Sequence, residues 1–158
     1  MTTALPAEAG SEFLNTSEAK SARVIPGAHA LKVLEDLPNW GDLVTIVLHG
    51  GCVFEYKGPF PTGSVGRGYY NLNGTRPGFE GHIKLDAIDH IAFQDRPHAG
   101  RIAHALTFND ASGGNIFKVF LGRDSDGTIF PAQLDAYEAL RENFAEVLDD
   151  HGDESHEK

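Results

Sequence analysis

Two short runs hold the residue types that could do chemistry in this chain. They are Gly78-Phe79-Glu80-Gly81-His82-Ile83-Lys84 and Phe117-Lys118-Val119-Phe120-Leu121-Gly122-Arg123-Asp124. Side chains alternate with period two along a strand, so the first run puts His82 and Lys84 on one face. The second flanks Lys118 with aromatic rings. An imidazole beside a cation suits an axial ligand next to a carboxylate-bearing molecule. Gly81 lets such a molecule approach the backbone. Together the runs suit a flat, partly apolar ligand with charged edges.

The chain has eight histidines. His49 stands at the edge of the Gly50-Gly51 turn, and His98 follows Pro97. His104 shares a face with Ile102 and Leu106, as a hydrogen-bonded core histidine would. His29 reads as a surface residue of a short helix, and His151 and His156 fall near the C-terminus. The cations between Lys57 and Arg123 include Arg67, Lys84, Arg96 and Lys118. They are either ordinary solvent-facing strand residues or, two or three of them, clamps for carboxylates. Tyr69, Tyr70, Phe79, Phe117 and Phe120 supply aromatic area, and most of them are expected in a core.

Motifs of familiar catalytic and cofactor chemistry are missing. There is no GxxxxGK[ST], HExxH, CxxC, HxH or GxSxG pattern. Gly66-Arg67-Gly68 lies between strands and does not open a helix, so it reads as a hairpin connection and not as a phosphate loop. Cys52 is the only cysteine, which excludes an internal disulfide and a multi-cysteine metal site. The function is therefore expected from a binding surface.

The net charge of -10 is unevenly distributed. Between Leu43 and Asp124 eight Lys/Arg stand against seven Asp/Glu, a balance of +1, so the two ends carry -11. A neutral centre with acidic ends argues against a nucleic-acid partner, which needs a basic face. No apolar run approaches the ~20 residues of a membrane span, so no membrane partner is expected. The first residues show neither a basic nor an apolar signal region. With the lone cysteine, these features point to a reducing cytoplasm.

The elements that must position these residues are mostly strands. At 158 residues the chain is expected to form one domain with a real core. Residues 1–22 lack periodicity and read as a disordered N-terminal segment, 23–148 as the single domain, and 149–158 as a disordered acidic tail. A short helix is predicted over His29–Leu37, stopped by Pro38. Strands are predicted at Leu43–Leu48, Cys52–Lys57, Gly68–Leu72, Gly81–Leu85, Ile88–Gln94, Ile102–Phe108 and Ile116–Leu121. Turns at Gly50-Gly51, Gly58-Pro59, Asn73-Gly74, Arg96-Pro97 and Ser112-Gly113-Gly114 separate them. Short connections imply antiparallel neighbours in a meander-like sheet. Pro131 to Leu148 has helical spacing, with Leu134, Tyr137, Leu140, Phe144 and Val147 on one side.

An ordered series of motifs carries a resemblance. It comprises Trp40-Gly41, Gly58-Pro59-Phe60-Pro61-x-Gly63, Gly68-Tyr69-Tyr70-Asn71-Leu72, Gly81-His82, Arg96-Pro97-x-x-Gly100-Arg101 and the Phe117–Asp124 run. From about Val24 to about Tyr137 the chain resembles the HutX/ChuX family of intracellular heme utilization carrier proteins. The resemblance implies an α+β fold, with a large antiparallel sheet and flanking helices that include a C-terminal amphipathic helix. That is half of the two-repeat HemS/ChuS-type fold. It also implies a homodimer, with heme in a cleft held by His or Tyr. Such a protein accepts imported heme and passes it to a heme-degrading enzyme.

On that resemblance His82 falls on a family histidine implicated in heme binding. A second family histidine has Leu48 as its gapless counterpart here, with His49 one residue later. A one-residue offset turns a strand side chain to the other face, although the Gly-Gly turn could re-aim it. His98 stands where the family often has Phe. The expected iron ligands are thus His82 first and His49 or His98 second, with Lys84, Arg67 and Arg96 as partners of the propionates. The alternatives are a heme-degrading enzyme, or a structural or regulatory dimer without a ligand.

Overall fold

Short apolar runs broken by glycine turns build nine strands and two α-helices among the described residues. The computed structural model describes residues 23–74 and 77–157, with no side-chain description beyond Phe144. The N-terminal segment 1–22 and Arg76 lie outside the described residues. The strands are β1 (Val24–Pro26), β2 (Asp42–His49), β3 (Cys52–Pro59), β4 (Gly63–Gly66), β5 (Tyr69–Leu72), β6 (Gly81–Lys84), β7 (His90–His98), β8 (Arg101–Asn109) and β9 (Asn115–Leu121). The helices are α1 (Ala30–Asp36) and α2 (Pro131–Glu157).

The strands form two antiparallel sheets, not one meander. Six make a large sheet in the order β1-β7-β8-β9-β2-β3, and three make a small sheet in the order β4-β5-β6. The chain leaves the large sheet after β3, builds the small one, and returns at β7. The sheet is joined by β9, which pairs with β2 from Leu43↔Leu121 to Ile46↔Lys118. β1 and β4 carry too few alternating residues to stand out in sequence.

Turn chemistry sets the hairpins. β2–β3, β4–β5 and β7–β8 close through two residues each: Gly50-Gly51, Arg67-Gly68 and Ala99-Gly100. All of these residues have positive φ, the sign that type I′ turns need to match strand twist. Arg96-Pro97 is therefore not a turn but the end of β7. Pro97 is tolerated there because β1 pairs only with His90–Ala92, leaving that end of β7 an edge with no donor required.

Both helices and the small sheet pack on one face of the large sheet. Register places Leu43, Thr45 and Val47 of β2 on that face, with Leu106 and Phe108 of β8 and Phe117, Val119 and Leu121 of β9. They join Val33, Leu34 and Leu37 from the α1 region, Tyr70 and Leu72 from the small sheet, and Tyr137 and Phe144 from α2 in one core. Each such side chain contributes roughly 1.5–3 kcal/mol on full burial. The opposite face carries Val44, Ile46, Leu48, Gln94, Arg96, Ala105, Thr107, Lys118 and Phe120. Among the described residues no layer packs against it.

α1 is shorter than expected, because Leu37–Trp40 tightens into a 3-10 turn around Pro38. The last helix continues past Leu148, through the segment expected as a disordered tail. Once packed turns have nucleated a helix, adding a residue needs no new tertiary contact. Gln133 and Tyr137 lock its first turns to the sheet. Gln133 is 2% exposed, accepts from Gly122 N at 2.7 Å, and donates to the carbonyls of Trp40 at 3.0 Å and Asp42 at 2.7 Å.

Candidate ligand cleft

A mostly apolar cleft of about 360 Å³ lies between the two sheets. Thr45 and Val47 of β2 and Phe117 of β9 form one wall. The other wall is the segment Phe79–Lys84, which includes the edge strand β6, and Phe60 closes one side. A chain of rings supports it. Phe108 stacks on Phe117 at 4.3 Å, Phe117 on Phe60 at 6.4 Å, and Phe79 lies against Phe60 at 5.7 Å and Tyr56 at 4.5 Å. Rigid aromatic walls of this kind suit a flat apolar ligand.

Thr45 is the polar exception on the sheet wall. It is 5% exposed, and its buried hydroxyl has no hydrogen-bond partner among the described residues. An unsatisfied buried hydroxyl costs about 1–3 kcal/mol.

β6 carries the charged rim. Tyr70 and Leu72 of β5 point into the core, so Tyr69 and Asn71 point outward. Register pairs Asn71 with His82 and Tyr69 with Lys84. His82 and Lys84 therefore share the outer face of the small sheet, as period two requires. The His82 Nδ1 lies 2.7 Å from Asn71 Oδ1. The Tyr69 ring, 38% exposed, meets the imidazole edge-on at 6.1 Å. Arg67 is exposed at the β4–β5 turn, two residues from Tyr69, and so stands at the Lys84 end of the same surface. His82 and Lys84 thus share a face of β6, and Arg67 stands at the turn nearest Lys84.

His49 ends β2 opposite Cys52. It shares the parity of Thr45 and Val47, and so the cleft face of the large sheet. Leu48 takes the open face with Val53. The one-residue offset turns His49 toward the cleft side and Leu48 away.

Arg96 and His98 lie elsewhere in the chain. They sit at the far end of β7, with β8 and β9 between them and β2. Arg96 lies on the open face and acts electrostatically on Lys118 there. Burial, reinforced by Arg96, lowers the Lys118 ammonium from its ordinary value. Phe117 and Lys118 of the aromatic run therefore serve opposite faces. His98 is exposed beside the Ala99-Gly100 turn. Within one chain, neither Arg96 nor His98 belongs to the His82 surface.

His104 takes the structural role. Its Nδ1 lies 2.7 Å from Asp95 Oδ1, and its ring packs against Tyr137 at 5.2 Å. The Tyr137 hydroxyl donates to Asp95 at 2.9 Å, and Arg141 grips both Asp95 oxygens at 2.8 and 3.1 Å. Burial alone would raise the Asp95 carboxyl. The hydrogen bonds from His104, Arg141 and Tyr137 outweigh it and hold the carboxyl below its usual value. Burial, reinforced by Asp95, pushes the Tyr137 phenol well above its ordinary range.

Sequence reasoning gives no role to Thr45, counts Tyr69 only as aromatic area and holds Asn71 only as part of a motif. Its position opposite His82 depends on the β5–β6 register across a long connection, which no local pattern specifies.

The fold and cleft define a class of α+β protein in which one large antiparallel sheet carries its helices and a small sheet on a single face. The chain belongs to the haem utilisation ChuX/HutX family, whose model matches residues 23–140. It is 41% identical over 148 residues to the intracellular heme transport protein HutX of Vibrio cholerae serotype O1, covering 89% of this chain and 76% of that one. The structure of the heme binding protein ChuX superposes with a TM-score of 0.71 at 32% identity, covering 78% of this chain and 77% of that one. The heme degrading enzyme ChuS of Escherichia coli O157:H7 shares the fold alone, at 18% identity and a TM-score of 0.64 over 76% of this chain and 35% of that one.

Proposed function

We propose that this chain is a heme carrier that accepts imported heme in the cytoplasm and passes it to a heme-degrading enzyme. The observation that carries the reading is the placement of His82 and Lys84 on one face of the strand that borders the aromatic cleft. Heme needs an apolar surface, an axial donor and cations near its propionates. Phe60, Phe79 and Phe117 supply the surface, and the rim strand β6 would supply the donor, His82, and the cation Lys84 from its outer face, with Arg67 beside them. His49, at the tip of the cleft-facing side of β2, is the second candidate ligand. Family membership supports the same reading, as does the similarity to HutX, an intracellular heme transport protein, and to ChuX, a heme binding protein. An exposed single imidazole also suits a protein that must release its cargo. No helix among the described residues is long and apolar enough to cross a membrane.

We propose further that the working unit is a homodimer formed through the open face of the large sheet. Val44, Ile46 and Phe120 are half-buried there, and Leu48 and Val53 are 41% and 52% exposed. Apolar area of this kind on a sheet face calls for a partner.

Titration of the purified protein with ferric heme, wild type beside His82→Ala, tests the carrier reading. The expected result is a saturable complex near one heme per chain, with weaker binding and a shifted Soret band in the variant. Loose, unsaturable association in the wild type would refute it.

A further inference from the structure

We propose that Asn71 is a positioning residue that holds His82 in the tautomer protonated on Nδ1, which leaves the Nε2 lone pair as the metal donor. The inference rests on the reading of His82 as a heme ligand.

The argument begins with the orientation of the Asn71 amide. Its Nδ2 donates to the carbonyl of Ser64 at 3.1 Å and approaches that of Gly66 at 3.4 Å. Carbonyl oxygens only accept, so the NH2 group must face β4. The Oδ1 must then face His82 Nδ1, 2.7 Å away. An amide oxygen only accepts, so Nδ1 must carry the proton. In a neutral ring Nε2 is then bare, and a bare ring nitrogen is what a metal requires.

The hairpin is built for this contact. Asn71 and His82 are directly opposite in the β5–β6 register, so their side chains leave the sheet side by side. Gly66 leaves room for the amide, since a Cβ there would lie 3.3 Å from Asn71 Nδ2. β4 thus orients Asn71, and Asn71 orients His82. Outer partners of this kind fix ring orientation and raise ligand basicity. Neutral histidine in water prefers the opposite tautomer, with the proton on Nε2. Without Asn71 the ring would have to exchange tautomers before binding.

The test reads the tautomer in the metal-free protein. In protein labelled with nitrogen-15 histidine, long-range proton–nitrogen correlation at alkaline pH should show His82 protonated on Nδ1. In Asn71→Leu, which keeps the size and removes the acceptor, the proton should move to Nε2. Ferric heme affinity should fall about tenfold with it. Asn71→Asp keeps an acceptor and serves if Asn71→Leu does not fold. It should retain the Nδ1 proton and lower the ferric/ferrous potential of the bound heme, because a carboxylate makes the imidazole a stronger donor. A wild-type His82 protonated on Nε2, or an Nδ1 proton that survives in Asn71→Leu, overturns the proposal. A His82→Ala protein that binds heme as tightly as wild type removes instead the ligand assignment beneath it, whatever the tautomer.

Discussion

Gln133 Oε1 accepts the backbone N–H of Gly122 at 2.7 Å and so ties the first turn of α2 to the end of β9. The contact works only because residue 122 has no side chain: a Cβ there would lie 2.2 Å from the Asp42 carbonyl. The same Gln133 amide donates to Trp40 and Asp42, so one buried side chain joins the helix, the segment before β2 and the end of β9. Gln133→Ala would leave these backbone groups without their partner. The expected loss is about 2–4 kcal/mol, since each orphaned buried group costs roughly 1–3 kcal/mol. A lower urea midpoint at unchanged slope is the readout.

Thr45→Val is expected to do the reverse. It removes a buried hydroxyl without a partner among the described residues while keeping the side-chain shape. The free protein should gain about 1 kcal/mol, seen as a higher melting temperature. An unchanged or lower melting temperature would show that the hydroxyl is satisfied in solution.

The Asp95 cluster should make the docking of α2 sensitive to acid. The folded carboxyl titrates below its unfolded value, so its stabilisation is present above the unfolded pKa, about 3.9, and is lost as pH falls through the folded pKa. Asp95→Asn should therefore be less stable than wild type near neutrality, and the gap should close in acid. Parallel urea unfolding curves across that range measure it. A gap independent of pH would assign the loss to geometry rather than charge.

The proposed dimer face gives a separate expectation. Leu48→Asp places a charge on the exposed part of that face, where Leu48 is 41% exposed. The variant should stay folded and sediment as a monomer where wild type sediments as a dimer. Wild type sedimenting as a monomer, or a variant that remains dimeric, counts against that face.

Carriage and degradation differ in one further assay. A carrier loaded with heme and given reductant in air with catalase should keep its Soret band. Steady loss of the band with release of a tetrapyrrole product would favour the enzyme.

Local physics alone determined a good part of this protein. Period-two alternation in Gly81–Lys84 put His82 and Lys84 on one face, and register confirms it. The Gly50-Gly51 pair marked a hairpin because both residues must take positive φ. Helical spacing from Pro131 with Leu134, Tyr137 and Phe144 marked the last helix. Each of these signals lies within a few residues of what it specifies. What only the tertiary structure decided is which distant strands pair. The return of β9 to β2, the split into two sheets and the opposition of Asn71 to His82 all depend on it. So does the separation of Arg96 and His98 from His82, which a list of cations and histidines cannot reveal. Pairing between strands far apart in sequence is set by the summed burial of whole faces, and no single residue or spacing encodes that sum.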